Sequence, residues 1–215
     1  MATTSTTAGD ASNGLIHTAG DDGTYAIKVG AAGSKVNAVV YAADGTPTFL
    51  KSGMVLGTAQ AATSRTSVDF TGIPSWAKKI TGTLSGVSTD GAGAGSLWVR
   101  LSSATVFQTS GYVSRWSAHG STGGLATGSQ TSAIQLSGVM NNPSTIEGTF
   151  TLCKVSGNLW HFTLCGQGLD GSSVNTSRNA TGYITLPDQL DGIRFTTSNG
   201  TDIFDAGIVN ILYEG

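Results

Sequence analysis

Alternating apolar and polar residues, in short runs separated by turn signals, dominate the sequence from about residue 67 onwards. Leu97, Val99 and Leu101 fall on one side of an extended chain, and Trp98 and Arg100 fall on the other. This two-residue period is typical of a β-strand, whose successive side chains point to opposite faces. No run of about 12 or more residues carries the period of an amphipathic helix. The pattern therefore predicts an all-β fold.

The same alternation recurs along the rest of the chain and predicts further strands at 68–70, 80–84, 134–136, 183–186, 193–196, 203–204 and 208–213. Roughly eight strands at this spacing indicate an antiparallel β-sandwich with a jelly-roll-like arrangement. Two stretches without strong periodicity, 110–131 and 166–181, are predicted to be mainly polar loops.

The two cysteines of the chain lie in a predicted hairpin. Residues 146–155 and 159–165 alternate on either side of a turn at Gly157. The apolar faces of the two strands pair only in a register that separates Cys153 from Cys165 by about four residues, or roughly 13 Å. A disulfide needs Cα atoms within about 7 Å, so both cysteines are predicted to be free thiols.

The chain is predicted to have a short N-terminal part and a larger C-terminal module. Residues 1–57 begin with a Thr-, Ser- and Ala-rich arm and continue with short alternating segments at 25–29 and 36–41. Large apolar residues are too sparse there to form a core, so this part is expected to pack against copies of itself or against the rest of the chain. The small polar segment 58–66 is a predicted linker, and 67–215 is the predicted β-sandwich module.

Composition and charge exclude several classes of function. Charged residues make up 11% of the chain, glycine contributes 31 residues, and the formal net charge is -2. Nothing in this balance favours nucleic acid as a partner. No apolar run reaches the roughly 18 residues of a membrane span, so no membrane insertion is expected. The first ten residues lack the features of a signal peptide, which predicts synthesis in a cytoplasm without export by that route.

No pattern in the chain points to a cofactor or to catalysis, and the protein is predicted not to be an enzyme. The segment 166–171 matches the glycine fingerprint of a dinucleotide site, but a loop sequence follows it where such a site needs a helix. No nucleophile elbow is present. His17, His119 and His161 have no ligand spacing, so no metal is expected.

Acidic residues with the chemistry of a glycosidase are present, and most neighbour glycine or fall in predicted turns: Glu147, Asp170, Asp188, Asp191, Asp202 and Asp205. A glycosidase needs two carboxylates that flank one sugar bond. Short acidic side chains in turns more often accept hydrogen bonds from nearby backbone N–H groups. These carboxylates are therefore predicted to cap turns.

The candidate ligand-binding residues are Tyr112, Arg115, Trp116 and His119, which fall in the turn-rich stretch 110–131. Aromatic rings that stack on a sugar, with polar groups beside them, are a common way to hold carbohydrate. The alternative is that Trp116 packs in the core or at an oligomer interface, where large aromatics are also enriched. The sequence favours this alternative for Trp116 but leaves both open.

Four segments resemble proteins of tailed-bacteriophage fibres. Residues 67–81 (SVDFTGIPSWAKKIT) and 86–91 (GVSTDG) resemble the opening of a C-terminal β module in tail and fibre proteins. Residues 193–215 resemble its last hairpin, and 41–47 (YAADGTP) resembles the short β units of fibre shafts. The resemblance covers both ends of 67–215 and is weak in the middle.

This resemblance implies a homotrimeric virion protein. Its N-terminal part would attach to other proteins of the particle, and its C-terminal loops would bind a glycan or protein of the host surface. The chain has little room for a shaft, which leaves open a capsid decoration, cement or head-fibre protein that stabilises the shell. A glycan-cleaving spike enzyme is a further alternative.

Overall fold

The structure, a computed structural model, describes residues 16–19, 25–29, 36–49, 53–91 and 95–215. These residues form eighteen β-strands and no helix, which confirms the predicted all-β class. Within the described residues, nothing has the length and apolarity of a membrane-spanning helix. The chain divides into two compact units, Met1–Ser52 and Gly53–Gly215.

The first unit contains a four-stranded antiparallel meander of β1 (Ile16–Ala19), β2 (Tyr25–Val29), β3 (Val36–Tyr41) and β4 (Pro47–Phe49). The alternating segments 25–29 and 36–41 are thus strands, as predicted. Between β3 and β4, Asp44 accepts a hydrogen bond from the backbone N–H of Thr46 at 2.9 Å, and Gly45 adopts a positive φ of 83°. The predicted arm at 1–13 lies outside the described residues.

The second unit contains a nine-stranded antiparallel sheet, called here the large sheet. Its strands are β5 (Met54–Leu56), β6 (Gln60–Ala61), β8 (Lys79–Thr89), β11 (Val113–Gly120), β12 (Leu125–Gln130), β14 (Ile146–Ser156), β15 (Leu159–Leu169), β16 (Asn175–Thr185) and β18 (Phe204–Glu214). Their order is β12-β11-β16-β15-β14-β8-β18-β5, and β6 also pairs with β18. Five of these strands are eleven residues long.

A smaller five-stranded sheet packs against the large sheet and completes the predicted sandwich. It contains β7 (Ser67–Thr71), β9 (Ser96–Ser103), β10 (Val106–Phe107), β13 (Ile134–Val139) and β17 (Leu190–Thr197). Its order is β10-β9-β17-β7, with β13 also paired to β9. One apolar cluster, to which Phe150, Phe162 and Phe195 belong, joins the two sheets. The ring centroid of Phe150 lies 5.4 Å from that of Phe162 in its own sheet and 5.4 Å from that of Phe195 in the other.

The boundary between the units lies earlier than the sequence indicated. The sequence pattern assigns 53–57 to the N-terminal part and 58–66 to a linker. In the structure all of these residues belong to the second unit. Their backbone hydrogen-bonds to the last strand: the N–H of Gly57 donates to the carbonyl of Ile211 at 2.7 Å, and that of Ala62 donates to Gly207 at 2.8 Å. The segment has few apolar residues because it needs backbone pairing more than burial to join the sheet.

The predicted polar loop at 166–181 is wrong: most of it belongs to the long strands β15 and β16. The dinucleotide-like glycines Gly166 and Gly168 lie in β15. The backbone of Glu147 on β14, and that of Thr145 just before β14, occupies the space that a Cβ would need there. Glycine at these positions therefore allows the two strand backbones to approach each other closely. The sequence did not predict these parts of β15 and β16 as strands, because their many small polar residues give no clear alternation of apolar and polar positions.

Tyr112 connects the two sheets at the start of β11. It is 1% exposed, and its hydroxyl accepts a hydrogen bond from the backbone N–H of Leu101 on β9 at 2.8 Å. Burial raises the pKa of Tyr112 from 10.0 to about 12, although the hydrogen bond from Leu101 opposes that change. Burial also raises the pKa of Tyr213.

These shifts predict that the fold weakens in alkali. The unfolded chain loses the Tyr112 proton near pH 10.0, and the folded chain loses it near pH 12. The contribution of Tyr112 to the stability of the fold is therefore fully present below pH 10.0 and is lost as the pH rises from the lower value to the higher one. One such group lowers the free energy of unfolding by about 1.4 kcal/mol per pH unit in that window.

Urea titrations at about pH 8 and about pH 11 measure the loss. Tyr112→Phe should be less stable than the parent at the lower pH, because the N–H of Leu101 loses its acceptor. It should also lose less stability between the two pH values. An unchanged pH dependence in this variant would contradict the assignment.

Candidate binding surface

The large sheet has an outer face, turned away from the small sheet, that is built mainly from hydroxyl and amide side chains. Thr81, Thr151, Thr163 and Thr181 are direct cross-strand neighbours on β8, β14, β15 and β16. Arg115 on β11 continues this row. Neighbouring strands lie about 4.8 Å apart, so the row presents regularly spaced polar groups across the sheet.

A groove of about 850 Å³ lies over this row. Its outward-pointing side chains are Arg115, Ser117, Thr127, Ser129, Thr149, Thr151, Thr163, Cys165, Asn179 and Thr181. Arg115 is the charged residue among them, and the others are neutral hydrogen-bonding groups and one thiol. The size is that of a ligand site for a small molecule or a few sugar residues.

A second depression, of about 770 Å³, lies further along the same face, towards the turns at one end of the sandwich. His119, Glu147 and Gln167 contribute its longer polar side chains. His119 pairs with Ser177, and Gln167 pairs with both Ser177 and Glu147, so these groups again form one row across adjacent strands. The two depressions make the outer face polar over most of the length of its central strands.

Exposed aromatic side chains border the groove on its other side. His161 and Tyr183 are cross-strand neighbours whose rings stack at 5.3 Å with an interplanar angle of 16°. Tyr183 is 42% exposed, as is its neighbour Val113. His161 precedes Thr163 by two residues, so this apolar and aromatic row directly adjoins the threonine row.

The structure separates the four sequence-predicted binding residues into two groups. Arg115 and His119 lie exposed on the outer face, one in each depression. Tyr112 and Trp116 point the other way, into the core. The predicted ligand contact of Tyr112 is therefore corrected: it is a buried residue that connects the sheets. The stretch 110–131 is the hairpin β11–β12 and not a set of loops.

Trp116 occupies the core position that the sequence favoured for it. It is 9% exposed, and its ring packs over two glycines. A Cβ at Gly138 would lie 3.1 Å from the indole ring, and one at Gly128 would collide with the indole nitrogen. The absence of side chains at these two positions makes the space that Trp116 fills.

Asp170 caps a turn, as predicted: it accepts hydrogen bonds from the backbone N–H groups of Ser172 and Val174 at 2.8 and 2.9 Å. The bonds of Asp191 and Asp202 are instead long-range. Asp191 accepts one from the backbone N–H of Thr105 at 2.6 Å, and Asp202 accepts one from that of Gly95 at 2.8 Å, so each connects segments that are distant in sequence. In the described part of the chain, no group of three His, Cys, Asp or Glu side chains could hold a metal ion.

Both cysteines are free, as their spacing predicted. Cys153 lies opposite His161, and Cys165 lies opposite Thr149, four residues away along β14. Both face outwards. The thiol of Cys165 therefore belongs to the wall of the groove.

Comparison with known proteins gives no relative from which a function could be transferred. No protein-family model, no curated protein and no solved structure matches this chain. The functional argument rests on the geometry of the described residues.

Sequence reasoning missed most of the groove, although a signal for it was present. Thr149 and Thr151 alternate with buried residues on β14, as do Thr163 and Cys165 on β15. The two strands are adjacent, so their polar positions had to meet on one face. The pairing of β15 with β16, which adds Thr181, was hidden because that region had been predicted to be a loop.

Opposite orientations of Trp116 and its neighbour Arg115 generate a prediction. Trp116→Ala should lower the free energy of unfolding by about 3–5 kcal/mol, because it leaves a cavity between the sheets. Arg115→Gln, one residue away but on the outer face, should change it by no more than about 0.5 kcal/mol. Chemical denaturation of both variants measures the difference, and equal stabilities would place Trp116 outside the core.

Proposed function

We propose that this protein is a non-enzymatic adhesion protein of a virus particle, of the fibre type, and that it binds a neutral glycan on the outer face of its large sheet. The observation that carries the proposal is the groove over the threonine row. Its walls offer many uncharged hydrogen-bonding groups, and an exposed aromatic row lies beside it.

Neutral carbohydrate suits these walls for a chemical reason. Sugar hydroxyls both donate and accept hydrogen bonds, and the hydroxyls of Thr163 and Thr181 and the amide of Asn179 do the same. The C–H faces of a sugar ring are apolar and pack on aromatic surface such as that of Tyr183. A row of such groups on rigid strands requires little ordering when the ligand binds.

The assignment to a virus particle is supported by the sequence resemblance to phage fibre proteins described above. The proposal includes a homotrimer that is attached to other virion proteins through its N-terminal part. An apolar strip at one edge of the large sheet is compatible with self-association: Met54, Leu56 and Ile208 are exposed there at 55%, 69% and 51%.

A glycan array probed with the full chain tests the binding function. We expect binding to neutral glycans that falls by about tenfold or more in the double variant Thr163→Val and Thr181→Val, since each change removes a hydroxyl while keeping the side-chain shape. Tyr183→Ala should weaken binding by about ten- to hundredfold.

A matched control is Thr185→Val, which removes an exposed hydroxyl from the same strand, β16, outside the groove. This variant should bind like the parent, and all variants should keep the parent's melting temperature within a few degrees. The proposal fails if no neutral glycan binds, or if the control loses as much affinity as the groove variants.

The trimer is tested by light scattering on the purified chain. We expect a mass of about 65 kDa, three times that of the 21.8 kDa chain. A monomeric mass at micromolar concentration would reject this part of the proposal.

The position on the particle needs a separate experiment. Electron microscopy of particles that carry labelled protein would distinguish a tail position from a head position.

A further inference from the structure

A separate cavity of about 310 Å³ lies on the inner side of the large sheet, at the end of the sandwich where the turns β11–β12 and β15–β16 meet. It exists because inward positions there carry small residues: Ala118, Gly120, Ala126 and Gly138 all line it. Side chains of this size cannot fill the space between the sheets beyond Trp116, which forms the inner wall.

A buried charged side chain, that of Arg178 on β16, lines this cavity. It is 4% exposed, which is unusual for a charged side chain. Its Nε–H donates to the Thr176 hydroxyl at 3.1 Å, and one terminal N–H donates to the carbonyl of Leu169 at 2.8 Å. A guanidinium has five N–H donors, so these two bonds leave about three for another partner.

Arg194 shows how this protein compensates a guanidinium that is less buried. Its Nε and one terminal nitrogen bind both carboxylate oxygens of Asp69, at 2.8 and 2.6 Å. Among the described residues, Arg178 has no carboxylate in ion-pair contact. Burial lowers its pKa, and the charge of Asp170 opposes that change only in part.

The nearest acidic group is already engaged in the turn. Asp170 lines the cavity, but its Oδ1 accepts the backbone hydrogen bonds of Ser172 and Val174 described above. A buried charge that lacks a paired opposite charge is costly. An anion that entered the cavity would remove that cost.

Apart from Arg178 and Asp170, the cavity lining is largely apolar. Trp116, Ala118, Leu125, Ala126, Val139 and Val174 all contribute to it. A ligand that fits therefore combines an apolar flank with a negatively charged group at its inner end. A sugar acid has both, in the C–H face of its ring and in its carboxylate.

We propose that this cavity binds one acidic monosaccharide unit, such as a uronic acid, with its carboxylate on Arg178 and its ring against the apolar residues of the cavity lining. The site lies on the opposite side of the sheet from the groove, and the inference does not rest on the proposed function. Charge-assisted pairing of a guanidinium with a carboxylate supplies the specificity.

The test uses the full chain and free D-glucuronate, with D-glucose and acetate as comparison ligands. Binding is followed by calorimetry and by the NMR signal of the Trp116 indole N–H, one of four tryptophans in the chain. We expect glucuronate to bind at least about tenfold more tightly than either comparison ligand, and to shift the Trp116 signal. Equal affinity for glucose, or no binding of glucuronate, would overturn the proposal.

Arg178→Gln should weaken glucuronate binding by about tenfold or more. Arg65→Gln is the matched control, because Arg65 is exposed and lies outside the cavity lining. A folded Arg178→Gln protein that keeps the parent's affinity would also overturn the proposal.

A second pair of variants remains informative if Arg178→Gln does not fold. A Cβ at Gly124, which lines the cavity, would meet no atom within 4 Å, so a side chain there is tolerated. Gly124→Glu should bind glucuronate about fivefold or more weakly than Gly124→Gln, because these side chains differ in charge and hardly in size. Equal affinities of the two would contradict a carboxylate at this site.

Discussion

Burial of one face of each sheet against the other is the constraint on which the rest of this structure depends. Because side chains alternate along a strand, every residue fixed in the core fixes its neighbours on the outside. Phe150 in the core places Thr149 and Thr151 on the outer face, and Phe162 does the same for His161 and Thr163. The groove is therefore a direct consequence of the packing between the sheets.

The register of the long strands converts this alternation into a surface. Each of β14, β15 and β16 contributes only a few polar side chains, and no strand by itself has the dimensions of a ligand site. Their antiparallel pairing aligns Thr151, Thr163 and Thr181 into one row. A shift of one residue would replace this row by core side chains, so the proposed binding function and the stability of the sandwich select the same register.

The two ends of the inner face differ in how they are filled. Large side chains such as Trp160 and Phe162 close the space between the sheets over much of the sandwich. At the turn end, Ala118 and Ala126 leave the cavity that Arg178 enters. A buried guanidinium beside small residues has a cost in stability, which a ligand with an opposite charge would offset. The cavity and the groove thus differ in chemistry: the cavity contains a buried guanidinium among small and apolar residues, and the groove is lined mainly by exposed, uncharged hydrogen-bonding groups.

The sequence by itself determined the all-β class, the free cysteines and the turn-capping role of Asp170, since these follow from local periodicity and from short-range geometry. It also proposed Arg115 and His119 as ligand contacts, and the structure places both exposed on the outer face of the large sheet. Only the tertiary structure decided that Tyr112 and Trp116 face inwards, because a strand at 113–120 has two faces and its local pattern does not say which is covered. The tertiary structure also decided that 175–185 forms the strand β16 and that a cavity lies at Arg178. Small residues give no apolar signal along the chain, and their role emerges only when neighbouring strands bring them together.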